Sequence, residues 1–147
     1  MNKLLNISLV SIITIVFGAC ASSSSSSPSL SSVKDIDVEK VCSVENNGIE
    51  KVIQTAKKYN EIAKKNELEF RRLGVNNTDL IISVEEAIKT GAKEVNPKDF
   101  KGKASKTKLP VEFGAIRACK FAISALTQAN EAKTTWRLAV PGDGYEY

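Results

Sequence analysis

Apolar residues return at steps of three and four through Ile49, Val52, Ile53, Ala56, Tyr59 and Ala63, and the same stripe takes in Phe70 and Leu73. Lys51, Lys57, Lys58, Glu61, Lys64 and Lys65 fill much of the other side. One apolar face and one charged face predict an amphipathic helix over residues 49–72. Gly74 then reads as its C-terminal stop.

Two further segments carry the same period. One predicted helix starts near Thr78 or at Ser83, where Ser83 and Glu86 fit a capping box. Its buried stripe is Val84, Ala87, Ile88, Gly91, Ala92 and Val95, and Asn96-Pro97 ends it. Leu80-Ile81-Ile82 before it suits a helix or a strand. The last predicted helix covers 111–139, with Pro110 in its first turn. Ile116, Cys119, Ala122, Ile123, Leu126, Ala129 and Trp136 line its inner face, and Gly114 with several alanines permits close approach of a neighbour. Residues 33–45 fit either a helix, with Val33, Ile36, Val41 and Val44 on one face, or a short strand over 38–44. Asn46-Asn47-Gly48 closes that element as a turn. The expected fold is mostly α, a small helical bundle of three to four helices. No internal repeat is visible.

The N-terminus constrains location rather than fold. Lys3 precedes an apolar run over 9–17, followed by Gly18-Ala19-Cys20 and a serine tract. A charged start, a short apolar core and small residues before a cut site read as a secretory signal peptide. With cysteine directly after the small pair, the segment resembles the lipobox of bacterial lipoproteins. That resemblance implies diacylglycerol transfer to the Cys20 sulfur, cleavage after Ala19 and acylation of the new amino terminus. A spanning anchor is the competing reading. The apolar run is near or below the ~17–25 residues a span needs, and no stop-transfer charges follow. Ala21 stands where an aspartate tends to retain such proteins in the inner membrane, so the resemblance implies the outer membrane. The serine-rich stretch after Cys20 cannot build a core and reads as a flexible tether. The expected organisation is signal peptide 1–19, lipidated cysteine and tether 20–32, helical domain 33–140 and C-terminal tail 141–147.

Export bears on the other cysteines. Cys42 and Cys119 lie far apart in the sequence, so they are not a CxxC redox pair. In an oxidising envelope two remaining cysteines are expected to pair as a disulfide, the alternative being two separate buried thiols.

Composition excludes more than it selects. Hydrophobic residues at 42% and charged residues at 26% suit one globular domain. The net charge of +4 is weak evidence for any partner, and export argues against nucleic acid. Histidine is absent, which removes the usual general base, the usual triad and the commonest transition-metal ligand. No metal-ligand cluster, glycine-rich phosphate loop or GxSxG elbow appears. Asn76-Asn77-Thr78 matches a glycosylation sequon, a reading that presumes a eukaryotic secretory route.

Three features remain. The carboxylate pairs Asp35/Asp37, Glu67/Glu69 and Glu85/Glu86 could flank a glycosidic bond, but pairs so close in sequence are usually solvated surface. Lys98, Lys101, Lys103, Lys106 and Lys108 lie in one polar loop that could meet an anionic surface or ligand, against the plain reading of a solvated loop. Tyr145 and Tyr147 in the tail could contact a partner or fold back to shield Trp136. The sequence therefore predicts no catalytic residues and no cofactor. It predicts a non-enzymatic, lipid-anchored envelope accessory or adaptor acting on another envelope protein. The alternative is a binding module for an anionic envelope ligand through the lysine loop, and a glycan hydrolase is the third reading.

Overall fold

The computed structural model describes residues 33, 35–105 and 108–135. Cys20, Lys106, Trp136, Tyr145 and Tyr147 lie outside the described residues. Within them the chain runs α1 (Val38–Val41), α2 (Val44–Asn47), α3 (Ile49–Lys65), β1 (Arg71–Arg72), β2 (Val75–Asn76), α4 (Asn77–Thr90), β3 (Glu94–Val95), β4 (Leu109–Pro110) and α5 (Val111–Thr135). Three long helices form a small bundle, and a disulfide ties it.

The segment 33–45 resolves into helix rather than strand. The Asp37 carboxylate accepts from Lys40 N–H at 3.1 Å and starts α1, and the Ser43 hydroxyl accepts from Asn46 N–H at 3.1 Å and starts α2. The Asn47 amide donates to the carbonyls of Lys40 at 2.8 Å and Ser43 at 3.2 Å, which clamps the two turns together. Gly48 follows with φ +75° and ψ 151°, a region that only glycine enters freely, and redirects the chain into α3.

The core lies between α3, α4 and α5. Val52, Ile53, Leu80, Val84, Ile123 and Leu126 are buried there, and each such side chain contributes about 1.5–3 kcal/mol through burial. Ala56 and Ala63 on α3, with Ala115, Ala118 and Ala122 on α5, have no exposed surface. Small residues on both helices let their backbones approach closely. Gly114 does the same towards α4 and β3, since a Cβ there would lie 3.0 Å from Val84 and 3.1 Å from Val95.

Four sequence expectations need correction. The helix predicted over 49–72 ends at Lys65. Leu68 N–H reaches the Ala63 carbonyl at 2.8 Å and Glu67 N–H the Lys64 carbonyl at 3.0 Å, while Glu67 takes φ 59°. This is the left-handed exit of a Schellman motif, with glutamate where glycine is usual. Gly74 stops no helix; it turns the β1–β2 hairpin, in which Arg71 pairs with Asn76 and Arg72 with Val75. The next helix starts at Asn77, and Ser83 lies inside it, donating to the Asp79 carbonyl at 2.8 Å instead of forming a capping box. That helix ends at Thr90, because Gly91 turns left-handed at φ 68°. Val95 is buried as expected, but on β3, which pairs with β4.

Candidate functional site

The β1–β2 hairpin, the start of α4, the 97–109 segment and the middle of α5 enclose a cleft of about 270 Å³. Leu80, Val75, Leu109, Pro97 and Phe121 give it apolar walls, and Arg72, Arg117, Asn76, Asn77 and Ser105 contribute the polar lining. Leu73 stands at its rim.

Each cation is positioned by a different element. Phe113, Arg117 and Phe121 recur at four-residue steps on α5, so they share one face. The Arg117 guanidinium lies 5.3 Å from the Phe121 ring centroid and 5.7 Å from that of Phe113. Phe121 itself stacks on Phe70 with centroids 4.1 Å apart, which fixes the surface on which Arg117 rests. Arg72 comes from the hairpin. Burial lowers the Arg117 pKa, and the like charge of Arg72 lowers it further. An arginine keeps its proton all the same, so the pair concentrates positive charge beside an apolar wall. Among the described residues the ion pairs are Lys57 with Glu85 and Lys120 with Glu39, and no carboxylate pairs with either cleft arginine.

Beneath the cleft runs a polar chain in which Asn60 and Asn77 are buried and Glu69 and Thr78 half-buried. The Asn77 amide donates to Asn60 Oδ1 and to the Ala118 carbonyl, both at 3.0 Å. The Asn60 amide donates to Thr78 Oγ1 at 3.0 Å and to Glu69 Oε1 at 3.3 Å. The Thr78 backbone N–H donates to Glu69 at 2.8 Å, and its hydroxyl donates to the same carboxylate oxygen. Burial pushes the Glu69 carboxyl up. The hydrogen bonds from Thr78 and Asn60, with the charge of Lys64, outweigh that and hold it below its ordinary value. Asn77 Oδ1 is buried without a hydrogen-bond partner. Asn77 is thus a cleft-lining residue with an acceptor to spare. Its amide nitrogen is committed inward and the residue is 2% exposed.

The sequence-predicted residues fall as follows. Cys42 and Cys119 form a disulfide with Cα atoms 5.7 Å apart. Lys98, Lys101, Lys103 and Lys108 are exposed and do not line the cleft. Their loop is more ordered than its composition suggested. Lys98 bridges Ala104, Asp99 N–H donates to the Lys103 carbonyl at 2.7 Å, and Asp99 Oδ1 accepts from Lys101 and Lys103 N–H at 2.8 and 2.9 Å. The loop reaches the cleft through Pro97, Ser105 and Leu109 instead. The carboxylate pairs disperse: Asp37 caps α1, Glu69 binds Thr78, Glu85 pairs with Lys57 at 3.0 Å, and Glu67 and Glu86 are exposed. A second cleft, of about 330 Å³ between α4 and β3, is lined by Asp79, Glu86, Glu94 and Lys98 and is acidic on balance.

Sequence reasoning missed Arg72 and Arg117. The four-residue recurrence of Phe113, Arg117 and Phe121 was a usable signal, and the Arg71-Arg72 doublet before Leu73-Gly74 was another. Compared with models of protein families, with curated proteins and with solved structures, the chain matches none.

Proposed function

We propose that this protein is a non-enzymatic, lipid-anchored accessory of the bacterial cell envelope that works by binding, and that its cleft takes a carboxylate or phosphate carried on an apolar body. The observation that supports this most is the Arg72 and Arg117 pair, set against an apolar wall and without a carboxylate partner among the described residues. Guanidinium forks bind oxyanions through paired, charge-assisted hydrogen bonds, each worth roughly 1.5–3 kcal/mol. The apolar wall then discriminates an amphipathic anion from a bare one. The anionic-ligand reading of the sequence is retained, with the site moved from the lysine loop to the arginine cleft.

The probe is hexyl phosphate, with hexanol and inorganic phosphate as its two halves, titrated into the full chain by NMR. Hexyl phosphate should bind more tightly than either half. Replacing both arginines (Arg72→Gln with Arg117→Gln) should weaken it by about tenfold or more, equivalent to about 1.4 kcal/mol. Equal binding by wild type and the double variant would sink the proposal. The anchor is read separately: a fatty-acid label should mark the wild type in bacterial cells and not Cys20→Ser.

A partner envelope protein is the second reading, favoured by Phe113. It is 50% exposed beside Arg117, and aromatic and arginine side chains anchor protein interfaces. Phe113→Ser should then weaken cross-linking to that partner and leave hexyl phosphate binding intact.

A further inference from the structure

Two large apolar side chains stand in solvent at one place. Leu73 is 87% exposed and Phe100 is 59% exposed. Phe100 N–H donates to the Gly74 carbonyl at 2.8 Å, and the Phe100 ring lies where a Cβ on Gly74 would meet it at 3.3 Å. The hairpin turn and the 98–104 loop therefore form one tip. Leu73 also holds a left-handed backbone at φ 51°, followed by Gly74 at φ 82°. A two-residue turn of this kind favours Asn-Gly, and a leucine at its first position is strained. Strain and exposure coincide on a residue that a fold-stabilising choice would have made asparagine.

Cations surround the tip. Arg71 lies 5.9 Å and Lys101 5.6 Å from the Phe100 ring centroid, Arg72 precedes Leu73, and Lys98 and Lys103 are exposed in the adjoining loop. An acid in the same loop, Asp99, has Oδ1 occupied by two backbone N–H groups.

We propose that this tip docks on an anionic lipid leaflet, with Leu73 and Phe100 entering the interfacial zone and Arg71, Arg72, Lys101 and Lys103 meeting the headgroups. Charge complementarity favours that occupant. Size favours it too. Stable protein interfaces bury about 1,200–2,000 Å², whereas a projecting leucine and phenylalanine form a point, not a face. Apolar side chains flanked by cations are the pattern of interfacial membrane binding. The proposal rests on the envelope reading for its setting. A tether of the length expected would hold the domain within roughly 20 Å of the bilayer, where weak docking is effective.

The test is hydrogen exchange of the full, lipidated chain in vesicles of phosphatidylcholine alone or with about one-third phosphatidylglycerol. Amides of residues 70–76 and 98–105 should exchange about fivefold more slowly or better on the anionic vesicles. Leu73→Asn should lose that protection while its thermal midpoint equals or exceeds the wild type, which separates docking from folding. Phe100→Ser should lose it and still bind hexyl phosphate. The unacylated Cys20→Ser chain should keep the lipid preference at higher lipid concentration, so anchor and docking read out apart. Equal exchange on both vesicle types overturns the proposal, as does full protection in Leu73→Asn. Protection seen only on whole envelopes also overturns it, because the tip then belongs to a protein. Protection of the tip in a chain that fails to bind hexyl phosphate supports docking and removes the cleft proposal.

Discussion

Glu69 and Asn77 carry the structure at the residue scale. Glu69 stands outside α4 yet caps it, because its carboxylate accepts the Thr78 N–H that the helix leaves free. Its carboxyl titrates below the ordinary value of 4.5 in the folded chain. The stabilisation is therefore complete above that value and is lost as pH falls through the lower folded value. Glu69→Gln should cost about 1–2 kcal/mol near neutral pH, discounted for the solvent that reaches the carboxylate. Its gap to wild type should close below pH 4.5, as denaturant melts across that range would show. A gap that stays constant from neutral to acid pH would mean the charge contributes nothing. Asn77 joins α4 to α3 and α5 with one amide nitrogen, which offsets the burial of that donor group while its Oδ1 stays unpartnered.

At the scale of elements, the left-handed exit from α3 is a local conflict. Glu67 adopts φ 59° where its Cβ is unfavourable, and the Schellman hydrogen bonds hold it there. Glu67→Gly should raise stability by about 0.5–1 kcal/mol, since relief of the Cβ penalty exceeds the added entropy of the unfolded chain. A lowered thermal midpoint would show that the glutamate side chain has an unseen role. The same exit shows what periodicity can and cannot reveal. Val52, Ile53, Ala56 and Ala63 were legible as a buried face because a helix repeats itself. Phe70 and Leu73 continued the spacing by coincidence: one stacks on Phe121 from a loop, and the other is the exposed tip of a hairpin. Two-residue strands are too short to show an alternating pattern, so neither the β1–β2 hairpin nor the β3–β4 pair was visible. The cleft shared that fate. Arg72 and Arg117 meet only through the hairpin and α5, and their distance in sequence hides the pairing.

Across the whole molecule, the disulfide decides how the N-terminal segment is held. The helices α1 and α2 bury none of their own residues, while Cys42 at the end of α1 is fully buried. Besides the disulfide, the segment has Val33 buried in the core, partial packing by Ile36, Val38, Val41 and Val44, and the ion pair of Glu39 with Lys120. An ion pair whose glutamate is 80% exposed contributes about 0–1 kcal/mol. The disulfide spans 77 residues, and closing such a loop stabilises by at most about 4.5 kcal/mol in the chain-entropy model. Its loss should therefore act unevenly. In Cys42→Ser with Cys119→Ser, amides of 35–47 should exchange close to unfolded rates, while α3, α4 and α5 stay protected at reduced global stability. Undiminished protection of 35–47 would show that packing alone secures it, and loss of protection everywhere would show that the three long helices do not stand without the bridge. The consequence reaches function, because this segment follows the proposed tether and Cys119 lies two residues from Arg117 on α5. The bridge couples the segment that follows the proposed tether to the helix that carries the cleft. A reduced protein should thus keep hexyl phosphate binding, but a freed 35–47 segment would lengthen the proposed tether and lower the effective concentration of the tip at the membrane, so protection of 70–76 on anionic vesicles should weaken although the cleft still fills.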